Sequence, residues 1–371
     1  MKNRIKRLEN LIEKEKLDGV ILTDGYNIHY LSGYKGHTGC MLIMNGIRII
    51  LTDSRYTEQV GIEAADFECV DIGLDGYSKC INTIIQNNFK ESNNCTSDEI
   101  NKFKLGFENE NISYKEYKAF FDAFGKSVEF IPLDDKLNKL RMVKDEEEIN
   151  CIAEAERIGD EAFSHMLEFI QAGMTEKQIA LELEYTMKSL GADGLSFDTI
   201  AASGPNSSLP HAVPTDRVLQ DGDFFTMDFG CIYNGYCSDM TRTVFIGENP
   251  TEKQMEVYTV VLKAQREALK LVKPGAKCSD IDACARKIIS DAGYGDYFGH
   301  GLGHSVGLYI HEEPRCSRKC DTILEAGMTM TIEPGIYLPG EFGVRIEDLV
   351  VVTEDGYRNL AASEKNLFLL A

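Results

Sequence analysis

DFGCIYNGYCSDMTR, residues Asp228–Arg242, has one aspartate on each side of a central Asn-Gly pair. Asn234-Gly235 predicts a two-residue type I′ turn, so the stretch is expected to form a β-hairpin. Counting outward from this turn places Asp228 opposite Thr241. Asp228 and Asp239 are then diagonal neighbours on one face, with backbones roughly 7–8 Å apart. Two carboxylates this close repel one another unless a cation lies between them, although the hairpin alone is equally compatible with a solvated surface pair.

A weak internal repeat surrounds this hairpin. LQDGDFFTMDFG (219–230) and LEAGMTMTIEPG (324–335) align at a constant offset of 105 residues, which matches Asp228 with Glu333. A second strand, FGVRIEDLVVV, follows Glu333, and its Glu347 corresponds to Asp239. Each half is predicted to contain a helix, then a second helix that follows a glycine, and then a β-hairpin with acidic residues. Two such halves packed face to face would bring four carboxylates together at their seam.

Four buried carboxylates cannot all stay ionised without cations. Two divalent ions would neutralise the set, whereas one would leave a charge of about −2. Oxygen ligands suit hard or borderline metals such as manganese, and an imidazole adds affinity for cobalt, zinc or iron. GHGLGHSVGLYIHEEP (299–314) supplies three candidate imidazoles, and LPHAVP supplies a fourth between two prolines. These are His300, His304, His311 and His211.

The first ~130 residues alternate strand-like and helix-like segments, which predicts an α/β domain. Strands are expected at 19–24, 40–44, 47–53, 104–110 and 128–132, with a helix in SYKEYKAFFDAF between the last two. A charged run, LNKLRMVKDEEEINCIAEAERIGDEAF, follows and has a helical pattern. We therefore place the two domains at 1–133 and 134–371.

The composition restricts the partners and the compartment. The chain has 371 residues, and its 60 acidic and 39 basic side chains give a net charge of −21, which disfavours nucleic acid and anionic membranes as partners. No apolar run approaches the ~18 residues of a membrane span, and the first twenty residues lack the apolar core of a signal peptide. Eleven cysteines without a CxxC pair predict reduced, mostly buried thiols in a cytoplasmic protein.

Six motifs resemble those of the proline-specific metallopeptidases of the pita-bread fold, namely the Xaa-Pro aminopeptidases (aminopeptidase P) and the Xaa-Pro dipeptidases (prolidases). In chain order they are LPHAVPTD, DFGCIYNGYCSDMTRT, GHGLGH, HEEP, EPGIY and GVRIED. The resemblance extends over essentially the whole chain, including TDSRYTEQ in the first domain. It implies a creatinase-like α/β N-terminal domain and an α+β pita-bread (creatinase/aminopeptidase-like) catalytic domain built from two pseudo-symmetric halves. It also implies a homodimer.

The resemblance further implies two divalent metal ions, with Mn(II) expected first and Co(II), Zn(II) or Fe(II) as alternatives. Their implied ligands are Asp228, Asp239, His304, Glu333 and Glu347, of which Asp239 and Glu347 bridge the metals. A hydroxide that bridges the metals would attack the scissile carbonyl, and Glu333 would accept its proton. His211 is the implied donor to the oxyanion, His311 would contact the substrate near its proline, and His300 would line the same pocket.

Arg345 lies two residues before Glu347, so both side chains face the same side of a strand. It is expected to orient an acidic ligand or hold a substrate carboxylate, but a structural ion pair with a ligand aspartate is equally compatible with the sequence. Tyr337 in EPGIY either supports the ligands or packs in the core.

The predicted activity is that of an Xaa-Pro aminopeptidase, which hydrolyses the bond between an N-terminal residue and a following proline. Peptides with proline at the second position are therefore the expected partners. That bond has no N–H and populates two isomers, so the site must recognise the shape of the ring. The alternative is an Xaa-Pro dipeptidase, which captures the carboxylate after proline, usually with a basic residue, and excludes longer peptides.

Two further alternatives rank lower. A non-catalytic peptide-binding module on the same fold would have substitutions among the five implied ligands, and this sequence has none. A methionine aminopeptidase would normally lack the whole first domain.

Overall fold

The computed structural model describes residues 2–36, 38–92 and 102–370. The chain divides into two compact units, Met1–Arg141 and Met142–Ala371. The domain limits of 1–133 and 134–371 stay a prediction. Ten cysteines in the described part of the chain are free thiols, and Cys95 lies outside it. No helix among the described residues is long and apolar enough to cross a membrane.

The N-terminal unit is an α/β domain around one six-stranded sheet with the order β4-β3-β2-β1-β5-β6. Strands β1, β2 and β3 pair antiparallel, and the remaining neighbours pair parallel. Its strands are β1 Gly19–Leu22, β2 Cys40–Met44, β3 Ile47–Thr52, β4 Glu68–Asp71, β5 Phe103–Phe107 and β6 Val128–Pro132. Its helices are α1 Lys2–Lys14, α2 Gly25–Ser32, α3 Thr57–Glu63, α4 Gly76–Ser92, α5 Tyr114–Phe124 and α6 Lys136–Arg141.

All five strands predicted in this unit are present, and the apolar runs of β1, β2, β3 and β5 are largely buried in the sheet. Strands β1 and β2 are buried at every position, which produces the continuous apolar pattern of GVIL and CMLIM. The predicted helix α5 begins at a capping box in which Ser113 and Glu116 satisfy one another's backbone amides. The sequence prediction missed β4, whose four residues ECVD are exposed at both ends.

The C-terminal unit has four long helices: α7 Glu146–Phe169, α8 Glu176–Ser189, α9 Glu252–Leu269 and α10 Cys278–Asp291. Short 3₁₀ turns lie at Gly204–Ser208 and Gly295–Tyr297. The strands of its first half are β7 Gly194–Leu195, β8 Ile200–Ser203, β9 Phe224–Phe229, β10 Cys231–Tyr233, β11 Tyr236–Cys237 and β12 Met240–Ile246. Its remaining strands are β13 Gly303–Ser305, β14 Glu312–Cys316, β15 Thr329–Ile332, β16 Gly335–Leu338, β17 Phe342–Arg345, β18 Asp348–Val352, β19 Tyr357–Asn359 and β20 Leu369–Leu370.

The two halves repeat the same order of elements. Helices α7 and α8 precede the β9–β12 hairpin, and α9 and α10 precede the β15–β18 pair. Gly173 and Gly275, which precede α8 and α10 in corresponding places at an offset of 102 residues, have φ values of +93° and +83°. This left-handed conformation favours glycine, so the aligned glycines mark the same turn in both halves.

The charged run after Pro132 was predicted to be helical throughout, and this prediction is wrong at one place. Helix α6 ends at Arg141 and α7 begins at Glu146. Between them, Val143 forms a β-bridge with Met328, and the Lys144 amide donates to the Gly327 carbonyl. The intervening backbone therefore bonds to the second half rather than to its own helix.

The predicted hairpin register is confirmed. Asn234 and Gly235 have φ values of +50° and +87°, as a type I′ turn requires, and Asp228 pairs with Thr241. In the second half, β15 and β18 pair antiparallel, and β16 and β17 continue the same register. That register places Glu333 opposite Glu347.

Candidate metal centre and active site

The five ligands implied by the sequence line a single cavity of about 970 Å³ within the C-terminal unit. Three of them, Asp239, His304 and Glu347, are buried, and their ligand atoms lie within 4.8 Å of one another. His304 Nε2 is 3.5 Å from Asp239 Oδ2 and 3.5 Å from Glu333 Oε1. Asp228 lies on the same cavity at the end of β9. The fold thus brings the four carboxylates and the imidazole together.

The surroundings of Asp239, Glu347 and Glu333 disfavour their charged forms. Burial raises the pKa of Asp239 and of Glu347 well above the usual range, and the neighbouring carboxylates raise both pKa values further. Burial also raises the pKa of Glu333 to about 8, although Arg345 opposes this shift. A divalent cation among these groups would restore their ionised forms, because opposite charge lowers the pKa of a carboxyl.

The imidazole of His304 is oriented for coordination. Its Nδ1 lies 3.1 Å from the Ser305 carbonyl, which requires the proton to be on Nδ1 and leaves the lone pair of Nε2 toward the acids. Burial lowers the pKa of His304 to about 3, so the ring is neutral at physiological pH. A neutral imidazole with its second nitrogen bonded to a carbonyl is the form in which histidine binds metals.

Two carboxylate oxygens of the cluster test whether the residues fit metal ions. Asp228 Oδ1 and Glu347 Oε1 are buried and have no hydrogen-bond partner among the described residues. Leaving such atoms unpaired costs free energy, and coordination would satisfy both. Four carboxylates with one imidazole also form a donor set that suits divalent manganese, iron, cobalt or zinc. The residues present therefore fit divalent metal ions.

Arg345 connects the carboxylates through a buried hydrogen-bond network. Its Nη2 donates to Asp228 Oδ2 at 2.6 Å, and its Nε donates to Thr241 Oγ1 at 3.0 Å. The Thr241 hydroxyl then donates to Glu347 Oε2 at 2.7 Å. Arg345 Nη1 donates to the Tyr337 hydroxyl at 2.8 Å. This geometry corresponds to an ion pair that orients Asp228, which is one of the uses that the sequence left open.

The other three predicted histidines also line the cavity. His300 Nδ1 lies 2.8 Å from the Gly301 carbonyl, so its Nε2 accepts from the Tyr337 hydroxyl at 2.8 Å. Burial lowers the pKa of His300 to about 4. The His311 and His304 rings are 4.6 Å apart between centroids. His211 and His311 are exposed residues, which leaves their rings accessible to a substrate.

The sequence analysis missed the residues that hold these histidines. Arg286 on α10 forms an ion pair with buried Asp282 and donates to the His300 carbonyl at 2.8 Å. Buried Lys144 donates to Glu312, next to His311, at 3.0 Å. Lys144 and Glu312 are 168 residues apart in the chain, and the Asp282–Arg286 pair is an ordinary i,i+4 pattern on a helix, so neither contact is marked by a local motif.

Arg315 is a further cavity residue that the sequence analysis missed. It follows HEEP directly, so its position beside a candidate motif was the available signal. Its Nη2 donates to the His311 carbonyl at 3.2 Å, and its side chain remains 45% exposed. Arg315 and Arg345 are the two arginines among the described residues that line the cavity.

Comparisons with known proteins agree with this geometry. A model of metallopeptidase family M24 matches residues 150–354, and a model of the creatinase/prolidase N-terminal domain matches residues 4–143. An Xaa-Pro dipeptidase of Pyrococcus furiosus is 39% identical over 367 residues, which cover 99% of this chain and 100% of that protein.

Solved structures extend the comparison to the whole fold. An Xaa-Pro dipeptidase from Bacillus anthracis has a TM-score of 0.91 at 40% identity, covering 99% of both chains. An X-Pro aminopeptidase from Thermotoga maritima has a TM-score of 0.88, also at 40% identity, covering 98% of this chain and 99% of that one. The arrangement of a creatinase-type α/β domain and a pita-bread domain is therefore common to all of them.

Proposed function

The chain belongs to metallopeptidase family M24, and from that membership we propose that it is an Xaa-Pro aminopeptidase. It would hydrolyse the bond between an N-terminal residue and a following proline. The observation behind the proposal is the cluster of four carboxylates and one imidazole on a single cavity. Relatives at equal identity are named dipeptidase and aminopeptidase, so their names alone do not separate the two activities.

We assign the five cluster residues as ligands of two divalent metal ions, with Mn(II) as the first candidate. When bound, such ions would supply Lewis acidity and make a nucleophile available at neutral pH. Asp239 and Glu347 are the assigned bridging ligands. Thr241 holds one oxygen of Glu347, and Arg345 holds one oxygen of Asp228, which leaves the opposite oxygen of each carboxylate for coordination.

The remaining residues act on the substrate and its protons. Glu333, whose pKa burial raises to about 8, is the group we assign to accept and return a proton during hydrolysis. His211 would donate to the oxyanion that develops from the scissile carbonyl. His311 would contact the substrate beside its proline. His300, fixed by Tyr337, would line the pocket.

The size of the cavity supports the aminopeptidase. Its volume of about 970 Å³ lies near the upper end of the roughly 300–1,000 Å³ found for sites of drug-sized ligands. A dipeptide alone would leave much of that volume to water. A peptide that continues beyond proline would fill more of it.

Arg315 supports the second candidate, an Xaa-Pro dipeptidase. Arg345 is buried and paired with Asp228, so its charge is already balanced. Arg315 is nearly half exposed on the cavity, and its Nε lies 3.7 Å from the exposed carboxylate of Glu313. Exposed pairs of this kind contribute little, which leaves Arg315 available to hold a C-terminal carboxylate after proline.

Hydrolysis of Ala-Pro, Ala-Pro-amide and Ala-Pro-Ala-Ala, with manganese and then with chelator, separates the candidates. The proposal expects cleavage of the tetrapeptide after its first residue and loss of that cleavage with chelator. Cleavage of Ala-Pro alone, together with a KM increase for it in Arg315→Met, would replace the aminopeptidase with the dipeptidase. If no peptide is cut with any divalent metal, the Xaa-Pro assignment is wrong.

The homodimer and the cytoplasmic location expected from the sequence belong to the same proposal. Sedimentation velocity on the full chain tests the homodimer. A single species at the mass of one chain, 41.5 kDa, would contradict it.

A further inference from the structure

Glu176 is a buried acid that the proposed mechanism does not use. It is the first residue of α8, where the helix dipole favours a negative charge, and its exposed fraction is 0%. Burial acts to raise the pKa of this carboxyl, but the hydrogen bonds that it accepts together outweigh burial and lower the pKa, so it is ionised at neutral pH. A fully buried carboxylate is uncommon unless it is needed to satisfy specific donors.

The donors to the Glu176 carboxylate belong to three residues, Ser203, Asn206 and Thr215. Oε1 accepts from the Ser203 amide and the Ser203 hydroxyl, both at 2.7 Å. Oε2 accepts from the Thr215 amide at 2.9 Å and the Thr215 hydroxyl at 2.6 Å. Asn206 Nδ2 donates to both oxygens at 3.1 Å. One carboxylate thus connects the two ends of the segment 203–215, which we call the His211 loop.

The middle of the His211 loop forms one wall of the cavity. His211 lies there with Pro210, Ala212, Val213 and Pro214. Arg345 Nη1 donates to the Pro210 carbonyl at 3.3 Å, which ties the loop to the second half of the unit. The position of the His211 ring therefore depends on how firmly both ends of the loop are held.

An ionised carboxylate suits this arrangement better than its neutral isostere. Both oxygens of Glu176 accept hydrogen bonds, and every group that faces them is a donor. In Glu176→Gln one oxygen becomes an NH₂ group, which has no lone pair for an N–H or O–H donor at that end. The backbone N–H at that end would then lose its partner, because it can only donate, and that end of the loop would be released.

We infer that Glu176 is a positioning residue that fixes the His211 loop, and through it the His211 ring, against the cavity. The inference rests on the proposed function, because it assigns the loop a part in Xaa-Pro hydrolysis. Glu176 touches no substrate in this assignment. Its effect on the reaction passes through His211.

The kinetic test uses Glu176→Gln, His211→Ala and the double variant of the manganese-loaded full chain. We expect Glu176→Gln to lower kcat on Ala-Pro-Ala-Ala by roughly 10- to 100-fold with little change in KM, because a misplaced group costs transition-state stabilisation. In the His211→Ala background the same change should lower kcat less than about twofold, since residues that act as a unit are not additive. Losses that multiply in the double variant would overturn the inference.

Hydrogen exchange provides a readout that does not depend on activity. We expect faster exchange of the Ser203 amide or the Thr215 amide in Glu176→Gln, whichever faces the new NH₂ group, and unchanged exchange in Glu182→Gln, a variant of the same helix whose acid pairs with His165 near the surface. Protection equal to the wild type at both amides would overturn the inference. If the wild-type protein cleaves no Xaa-Pro peptide, the function proposal fails, and this experiment still decides what Glu176 holds.

Two milder variants cover the case in which Glu176→Gln does not fold. Ser203→Ala and Thr215→Val each remove one hydroxyl donor and keep the backbone donor. Each is expected to lower kcat by a few-fold, and the loss should disappear in the His211→Ala background. Wild-type kcat in both variants would contradict the inference.

Discussion

In the first half of the catalytic unit Asp228 and Asp239 are diagonal neighbours on the hairpin, whereas in the second half the register places Glu333 directly opposite Glu347. Directly opposed residues are roughly 4.5–5.5 Å apart, and diagonal ones roughly 7–8 Å. The two halves therefore bring their acids to the same cavity with different registers and different side-chain lengths. The repeat keeps the position of the acids on the fold, while each half presents its acids to the cavity in a different register.

Each half also supports a ligand of the other half. Thr241, from the first hairpin, donates to Glu347 in the second. Arg345, from the second, donates to Asp228 in the first and to Thr241 as well. A change in one half should therefore alter metal binding by residues of the other.

Removing one ligand from either half is expected to have the largest effect. Asp228→Ala and Glu347→Ala should each lower kcat/KM by more than about 10³-fold, because each removes a charge that the metal ions require. Metal content after dialysis should fall in both variants, while the N-terminal unit stays folded. Asp216→Ala, which changes an exposed acid paired with Lys177, is the matched control and should behave as wild type. Full activity in metal-stripped Asp228→Ala would rule out a two-metal mechanism.

Arg345→Met removes the ion pair that orients Asp228 but leaves every proposed metal ligand in place. Removing one partner of a buried ion pair costs about 3–5 kcal/mol, so the metal-free variant should unfold at a clearly lower urea concentration. Metal affinity should also fall by about 10- to 100-fold, as expected for a group that orients a ligand. Arg345→Lys keeps the charge but not the fork of donors, and it should recover only part of the loss. Unchanged unfolding of metal-free Arg345→Met would show that Asp228 does not depend on this ion pair.

The features that the sequence predicted correctly are those with local signals. The Asn-Gly turn fixes the register of the first hairpin, and the continuous apolar runs mark buried strands. The repeat placed Glu333 and Glu347 beside Asp228 and Asp239, although their separation in the chain exceeds 100 residues. That inference was correct because two halves with the same fold place their aligned residues at equivalent positions, so an internal repeat predicts contacts between residues that are distant in the chain.

The features that the sequence did not predict depend on particular long-range contacts. The hydroxyl of Thr241 meets Glu347 across 106 residues of chain, and Glu176 meets Thr215 across 39. A threonine that lies opposite an aspartate is an ordinary local pattern, and so is a glutamate at the start of a helix. Their importance appears only when the fold brings a second group to them. The break between α6 and α7 was missed for the same reason, because its backbone bonds to residues near Met328.

Thr241→Val isolates the contact that runs from the first half to the second. Valine has nearly the shape of threonine but cannot donate to Glu347 or accept from Arg345. Metal affinity should fall about 10-fold, the lower end of the range for groups that hold a ligand. Isothermal titration of the metal-free protein measures this change, with Thr353→Val at a partly exposed position outside the cavity as the control. Equal affinity in Thr241→Val and wild type would remove the link between the halves.

The pH dependence of stability tests the electrostatics of the second half. In the metal-free protein burial raises the pKa of Glu333 to about 8, whereas an unfolded glutamate titrates near 4.3. Between these values the folded state binds the proton and the unfolded state does not. The contribution of Glu333 to the free energy of unfolding should therefore fall as pH rises through this window, by at most about 1.4 kcal/mol per pH unit for one proton.

Urea unfolding from pH 5 to 8 measures this slope in chelator and again with manganese. Bound metal should reverse the trend, because it binds the ionised carboxylates and its contribution to stability grows as they lose their protons. Glu333→Gln should make the slope in chelator less negative than that of the wild type, since glutamine does not titrate, whereas Asp239, Glu347 and the buried histidines titrate in both proteins. An equal slope in Glu333→Gln and the wild type would mean that Glu333 is already ionised in the folded state. The two hairpins would then differ in register but not in their need for a cation.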